Sequence, residues 1–249
     1  MRRLIFLLVA TAFLVAVPTT GAMPTRAAEH GNRATAPTPD GTASVEKTPT
    51  HRFTLVDESV GTVVRATPAG RVLGRLPGVT PLGTPTWLWA LKTNRAGTWA
   101  KVVLPWPPNG RTGWVTLRGR AETHTRTWVQ ADLSRRRVML MRGSHMVASF
   151  VAAVGASDSP TPIGRFSVTD PIATGDASGP FGWYAFGLSG HQPHLPPGWT
   201  GGDQLAIHGT NNPASLGTAA SAGCLRVSSA ALHVLKRALE PGTPVIIHP

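Results

Sequence analysis

The sequence predicts a mainly β protein, a small all-β unit followed by a larger β-rich unit with one short helix. Three observations carry this. Short runs of β-branched and aromatic residues recur between Gly and Pro through residues 52–121, the same texture returns from Trp128 onward, and a single stretch near the end has helical spacing.

The chain opens with "MRR" and the apolar run "LIFLLVATAFLVAV", followed by small residues at Gly21, Ala22, Ala27 and Ala28. This is the pattern of a secretory signal over residues 1–28, with cleavage expected after Ala22 or Ala28. The run falls short of the roughly 18 to 20 residues that a membrane-spanning helix needs, so an uncleaved anchor is the weaker reading. No cysteine lies near either site, which excludes a lipid-modified cysteine at the new N-terminus. The mature protein is expected in the cell wall or periplasm, meeting the membrane only during export. Residues 29–51, "EHGNRATAPTPDGTASVEKTPTH", have almost no large apolar side chains and are expected to form a flexible linker.

Within residues 52–121 the candidate strands are "GTVVRAT", "RVLGRL", "PTWLWALK", "TWAKVVL" and "TGWVTL". In the third, Trp87, Trp89 and Leu91 share one face and Leu88 and Ala90 the other, so both faces are expected to be at least partly covered. Five tryptophans, Trp87, Trp89, Trp99, Trp106 and Trp114, fall in this unit. Such density is usually a core, and a sugar-stacking platform is the second reading. The pattern resembles the SH3-like domains of bacterial wall proteins. The formal net charge is +12, and residues 52–124 alone carry ten basic and three acidic side chains. On an exported protein that surface favours anionic wall polymers over nucleic acid, with plain solubility as the alternative.

The second unit begins with three strands in "TWVQADLSRRRVMLMRGSHMVASFVAAVG", turning at Ser134–Arg137 and Gly143–His145. In "SPTPIGRFSV", Pro160 and Pro162 stiffen a turn before a strand at Arg165–Val168. The stretch from Pro171 to Asp203, rich in Gly, Pro and aromatics, reads as a packed lid. In "SSAALHVLKRALEPG", Ser228 is the expected N-cap, Leu232, Leu235 and Leu239 share a face, and Pro241 and Gly242 stop the helix. "TPVIIH" closes the unit as a strand.

Cys224 is the only cysteine. One cysteine cannot form an internal disulfide, so it is either an inert buried residue or a reactive thiol. Acyl transfer by a thiol needs a thiolate, a base and backbone N–H groups aimed at the oxyanion. Cys224 follows Gly223 and lies just before the helix start, which is expected to lower the thiol pKa. His208, ending the apolar stretch "LAIH", is the candidate base. A structural histidine remains open at this point, as does a zinc site on His191, His194, His208 and Cys224, although the close-spaced cysteine pairs of structural zinc are missing.

The string "IHGTNNPASLG…SAGCLRV", preceded by "SPTPIGRF" and "YAFGLSG" and followed by "PGTPVIIH", resembles the L,D-transpeptidase catalytic domain of the YkuD type across residues 126–249. The resemblance implies a β-sandwich with one helix beside the active loop and no metal or organic cofactor. It implies a monomer acting on peptidoglycan stem peptides, in which Cys224 attacks the carbonyl of the L-centre of an L,D peptide bond. His208 would serve as base and then acid, and the Gly223 and Cys224 N–H groups as oxyanion donors. Arg226 suits a stem-peptide carboxylate, with a structural salt bridge as the equal alternative. Ser221 is expected to bond within the loop, and Thr210 or Gly209 to position His208. Many relatives carry histidine where Ala222 stands, which leaves His208 the sole local base here. The resemblance also implies acylation by carbapenems more readily than by penicillins. Cross-linking, D-amino acid exchange, attachment of a wall protein and L,D-carboxypeptidase activity share the first half-reaction, and a non-catalytic wall-binding protein is the rival from another class.

Overall fold

A computed structural model describes residues 51–249, so the signal and nearly all of the linker expected from the sequence lie outside the described residues. The first unit contains seven strands: β1 Phe53–Asp57, β2 Thr62–Arg65, β3 Val72–Leu76, β4 Trp87–Thr93, β5 Trp99–Val103, β6 Thr112–Thr116 and β7 Glu122–Thr125. They form one antiparallel sheet in the order β3-β2-β6-β5-β4-β1-β7. Alternation along the strands gives one face to a common core. Val56, Val64, Leu76, Leu88, Ala90, Ala100, Val102 and Val115, drawn from six strands, meet in a single cluster. One face of one sheet can do this only if the sheet curls on itself.

The β4 strand has both faces covered, as its pattern predicts. Leu88 and Ala90 enter the core, whereas Trp89, with Trp87 and Leu91 beside it, packs with Leu55, Val103 and Phe53 against Ile246 of the second unit. The reading of the tryptophans as core holds only in part, since half-buried Trp106 packs against the core cluster. Of the five, only Trp89 is buried, and it sits at the junction; Trp87, Trp99, Trp106 and Trp114 are half-buried.

The second unit contains β8 Thr127–Asp132, β9 Arg137–Arg142, β10 His145–Val151, β11 Val154–Gly155, β12 Gly164–Ala173, β13 Tyr184–His191, β14 Gln204–His208, β15 Ala219–Ser221, β16 Leu225–Arg226, helix α1 Ser229–Lys236 and β17 Pro244–His248. Eight strands pair in the order β10-β9-β8-β17-β12-β13-β14-β16, and β11 pairs with β15. The long β12 turns the corner between two layers. Gly164–Ser167 pairs with β17, Val168–Ala173 pairs with β13, and the register slips between Val168 and Asp170. Side chains of both layers and of α1 meet in one core, including Val129, Val138, Phe166, Phe186, Ile207, Leu232 and Val245. Ser228 caps α1 by accepting a hydrogen bond from the Ala231 N–H.

The expected lid from Pro171 to Asp203 is corrected. β12 continues through Pro171 to Ala173, and Tyr184–His191 is a central strand with every residue but His191 buried. Pro171 is tolerated because that half of β12 has a partner strand on one side only.

The two units lie within one compact body. Asn109 clasps the backbone of His191 from across the junction, donating to its carbonyl at 2.6 Å and accepting from its N–H at 2.8 Å.

Candidate active site

Two short parallel strands create the site. In the β14–β16 pair, Ile207 lies opposite Leu225 and His208 opposite Arg226. Paired residues point to the same face and alternate residues return to it, so His208 and Arg226 share a face that Cys224, one residue before β16, also enters. The neighbours agree with that placement. The Cys224 thiol meets the Ala206 backbone N–H, and Arg226 acts electrostatically on both Cys224 and His208.

The His208 ring is 3% exposed, and its Nδ1 lies 2.6 Å from the Gly209 carbonyl. A carbonyl can only accept, so Nδ1 carries the proton and Nε2 presents its lone pair. The Phe181 ring stands edge-on to the imidazole, with centroids 4.9 Å apart. Burial pushes the His208 pKa down to about 4, and the positive charge of Arg226 pushes the same way, so the ring is neutral near pH 7. Gly209 is tightly enclosed: a Cβ there would approach Leu232 Cδ1 of α1 and the Gly182 backbone at 3.0 Å. Of the two residues expected to position His208, Gly209 is the one whose carbonyl lies within hydrogen-bond distance of the ring. Thr210 makes no hydrogen bond to His208 among the described residues; its hydroxyl donates to the Asn212 carbonyl and accepts from the Asn212 N–H.

The thiol behaves differently from the sequence expectation. Burial pushes the Cys224 pKa up, outweighing the Ala206 N–H and Arg226, which both pull it down. The helix start cannot compensate: Ser228 caps α1 four residues later, with β16 in between, and a helix dipole fades beyond its first turn.

Ser221 braces the loop as expected, accepting from the Gly223 N–H at 3.1 Å and donating to the Cys224 carbonyl at 2.6 Å. One of the two expected oxyanion donors is thereby engaged, which leaves the Cys224 N–H. Gly223 is held at φ +111°, and a Cβ there would come 2.0 Å from Gln192 Nε2. Arg226 is half-buried, its Nε has no hydrogen-bond partner, and among the described residues it forms no ion pair. The structural salt bridge weighed for it is absent there.

Gln192 is the residue that sequence reasoning missed. It is 4% exposed, and its amide nitrogen faces the carbonyls of Ser159, Pro160 and Ala222 at 3.1 to 3.2 Å. It thus ties the "SPTP" turn to the cysteine loop, next to the β11–β15 pair that sets Gly155 against Ser221. His191 belongs to the junction, with Nδ1 3.1 Å from Asp203 Oδ1 and Nε2 3.2 Å from the Pro105 carbonyl. Among the described residues no group of three or more His, Cys, Asp or Glu side chains is placed to hold a metal ion.

With this geometry in hand, residues 126–247 match the family model of the YkuD L,D-transpeptidase catalytic domain. This stretch is similar to the YkuD-type L,D-transpeptidase catalytic domain. The chain is 31% identical over 121 residues to a Bacillus licheniformis protein bearing the name L,D-transpeptidase YkuD, a match covering 49% of this chain and 65% of that one. The Bacillus subtilis protein of the same name is 29% identical over 120 residues, covering 48% and 65%. The chain thus spans a little under two thirds of these relatives. Among solved structures, an L,D-transpeptidase from Mycobacterium tuberculosis H37Rv aligns at 18% identity and TM-score 0.40, covering 58% of this chain and 74% of the other. The matched stretch contains every site residue discussed above, Cys224 and His208 included.

Proposed function

We propose that the protein is a cysteine-dependent L,D-transpeptidase that cross-links peptidoglycan stem peptides outside the cytoplasmic membrane. The observation that carries the proposal is a neutral, Nδ1-protonated His208 on the same strand face as Cys224.

In this reading Cys224 Sγ attacks the carbonyl carbon of the L-centre while His208 Nε2 takes the thiol proton. A raised thiol pKa and a lowered imidazole pKa favour the neutral pair at rest, so proton transfer accompanies attack. The Cys224 N–H receives the oxyanion. Collapse breaks the C–N bond, His208 returns its proton to the leaving D-amino acid, and a thioester remains on Cys224. An amine of a second stem, deprotonated by His208, displaces the thiol to give the cross-link. Arg226, without a protein carboxylate, is the group for a stem-peptide carboxylate. Gln192 and Ser221 are positioning residues that hold the loop.

The test supplies a defined tetrapeptide donor and identifies products by mass spectrometry. A cross-linked dimer formed by the natural sequence and lost in Cys224→Ala is expected. A tripeptide alone would assign the hydrolytic L,D-carboxypeptidase reaction instead, and turnover undiminished in Cys224→Ala would reject the thiol mechanism.

A further inference from the structure

The excess charge of the first unit has a definite address. In the sheet register Arg65 of β2 lies opposite Trp114 of β6, Trp114 opposite Lys101 of β5, and Lys101 opposite Lys92 of β4. Arg75 lies opposite Val63, and Trp99 opposite Thr116, on the same outward face. The inward face is the apolar core, so these six cationic and aromatic side chains share the outer surface from β3 to β4. Five strands at about 4.8 Å spacing make a row roughly 20 Å across, longer than one small anion.

Carboxylates are excluded from this row. Of the three acidic residues between 52 and 124, Asp57 and Glu122 lie on β1 and β7, the two strands outside the row. The third, Glu58, is fully buried and meets Arg120 Nε at 3.1 Å. At the β2 and β3 end the surface deepens into an open groove of about 880 Å³ lined by Arg65, Arg75, Arg120 and Trp99. Two of the guanidinium groups are already fixed, Arg65 donating to the Gly70 carbonyl and Arg120 to that of Gly61, each at 2.7 Å. Trp99 and Trp114 stay half-buried, and Lys92 Nζ lies 5.9 Å from the Trp114 ring centroid.

We propose that this face binds an anionic glycan, a sugar chain bearing phosphate or carboxylate groups. Fixed guanidinium groups suit the acidic substituents, indole faces suit the sugar rings, and the length of the row suits a polymer. Single-stranded nucleic acid would meet the same cationic and aromatic side chains through its phosphates and bases. The choice of glycan rests on the proposed wall activity of the same chain.

Titration calorimetry on the full chain tests the site with five probes: a phosphodiester-linked sugar polymer, polygalacturonate, neutral dextran, inorganic polyphosphate and single-stranded DNA. One or both anionic glycans should bind, more weakly as salt rises, and dextran should not; the phosphate and carboxylate arms identify the source. Arg65→Gln with Arg75→Gln should weaken binding by about tenfold or more, since two charge-assisted contacts are lost. Trp99→Ala should weaken glycan binding about fivefold and leave polyphosphate binding unchanged. Arg75→Glu, at an exposed position, and Trp99→Phe serve as second variants in case either change impairs folding. Tighter binding of DNA than of both glycans, equal binding of polyphosphate with no effect at Trp99, or full binding by the arginine variants would overturn the site. Turnover of a soluble tetrapeptide should be unaffected by all of these changes. Its absence from the natural sequence would contradict the proposed activity while leaving the glycan result to stand or fall separately.

Discussion

At the scale of single residues, the site depends on two groups whose burial moves them in opposite directions. A base works only while unprotonated, so the rate should fall on the acid side with a midpoint near the His208 pKa of about 4, well below the 6.5 of an ordinary histidine. A pH profile of kcat/KM on a defined tetrapeptide checks this; an acid limb centred near 6.5 would mean that His208 is not held neutral. Gly223 gives a steric prediction. Alanine there adds a Cβ 2.0 Å from Gln192 Nε2 at a φ that L-residues avoid. Gly223→Ala should cost about 1 to 3 kcal/mol in thermal unfolding and displace Cys224, with activity falling about 100-fold. Full activity in a folded Gly223→Ala protein would show that the Gln192 clamp is dispensable.

At the scale of elements, α1 supports the site by packing more than by its dipole. Ser228→Ala should lower stability by about 1 kcal/mol through loss of the cap. Activity per folded molecule should stay within about twofold, because Cys224 lies beyond the reach of the helix terminus. A large fall in activity with the thiol pKa raised further would restore the dipole to the mechanism. The helix is legible in sequence because its Ser228 cap agrees with the face shared by Leu232 and Leu235, although it ends at Lys236, short of Leu239 and of the stop expected at Pro241 and Gly242. The strands with alternating burial, such as β2, β5 and β6, are legible for the same reason. β7 is not, since "ETHT" is polar on both faces at a sheet edge and carries no period. β13 escapes for the opposite reason: "YAFGLSGH" is buried on both faces, so alternation vanishes and its small residues look like a loop. Cys224 and His208 are legible by residue type and by the resemblance of the segments around them. Gln192 is silent because each carbonyl it holds is about thirty residues away in the chain.

At the scale of the whole molecule, two buried ionisable groups, one in each unit, set opposing dependences of stability on pH. Burial raises Glu58 from 4.5 to about 7, against the pull of Arg120, so between those values the folded protein keeps a proton that the unfolded chain releases. Stability from this group is present below about 4.5 and is lost as pH rises to about 7. His208 runs the other way: between 6.5 and about 4 the unfolded chain takes up a proton that the folded protein refuses, so stability falls as pH falls. The two slopes oppose each other between about pH 4.5 and 6.5. Glu58→Gln removes one of them. Thermal unfolding of that variant should therefore show stability rising with pH across this interval more steeply than in the natural sequence. Parallel pH curves for the two proteins would contradict the buried, protonated Glu58.

The catalytic proposal for the second unit is tested most directly by the thioester itself. Intact-mass analysis of acid-quenched protein incubated with a tetrapeptide donor should show an added tripeptidyl group, mapped by proteolysis to Cys224 and missing from Cys224→Ala. An adduct on another residue, or turnover that survives in Cys224→Ala, would contradict the account.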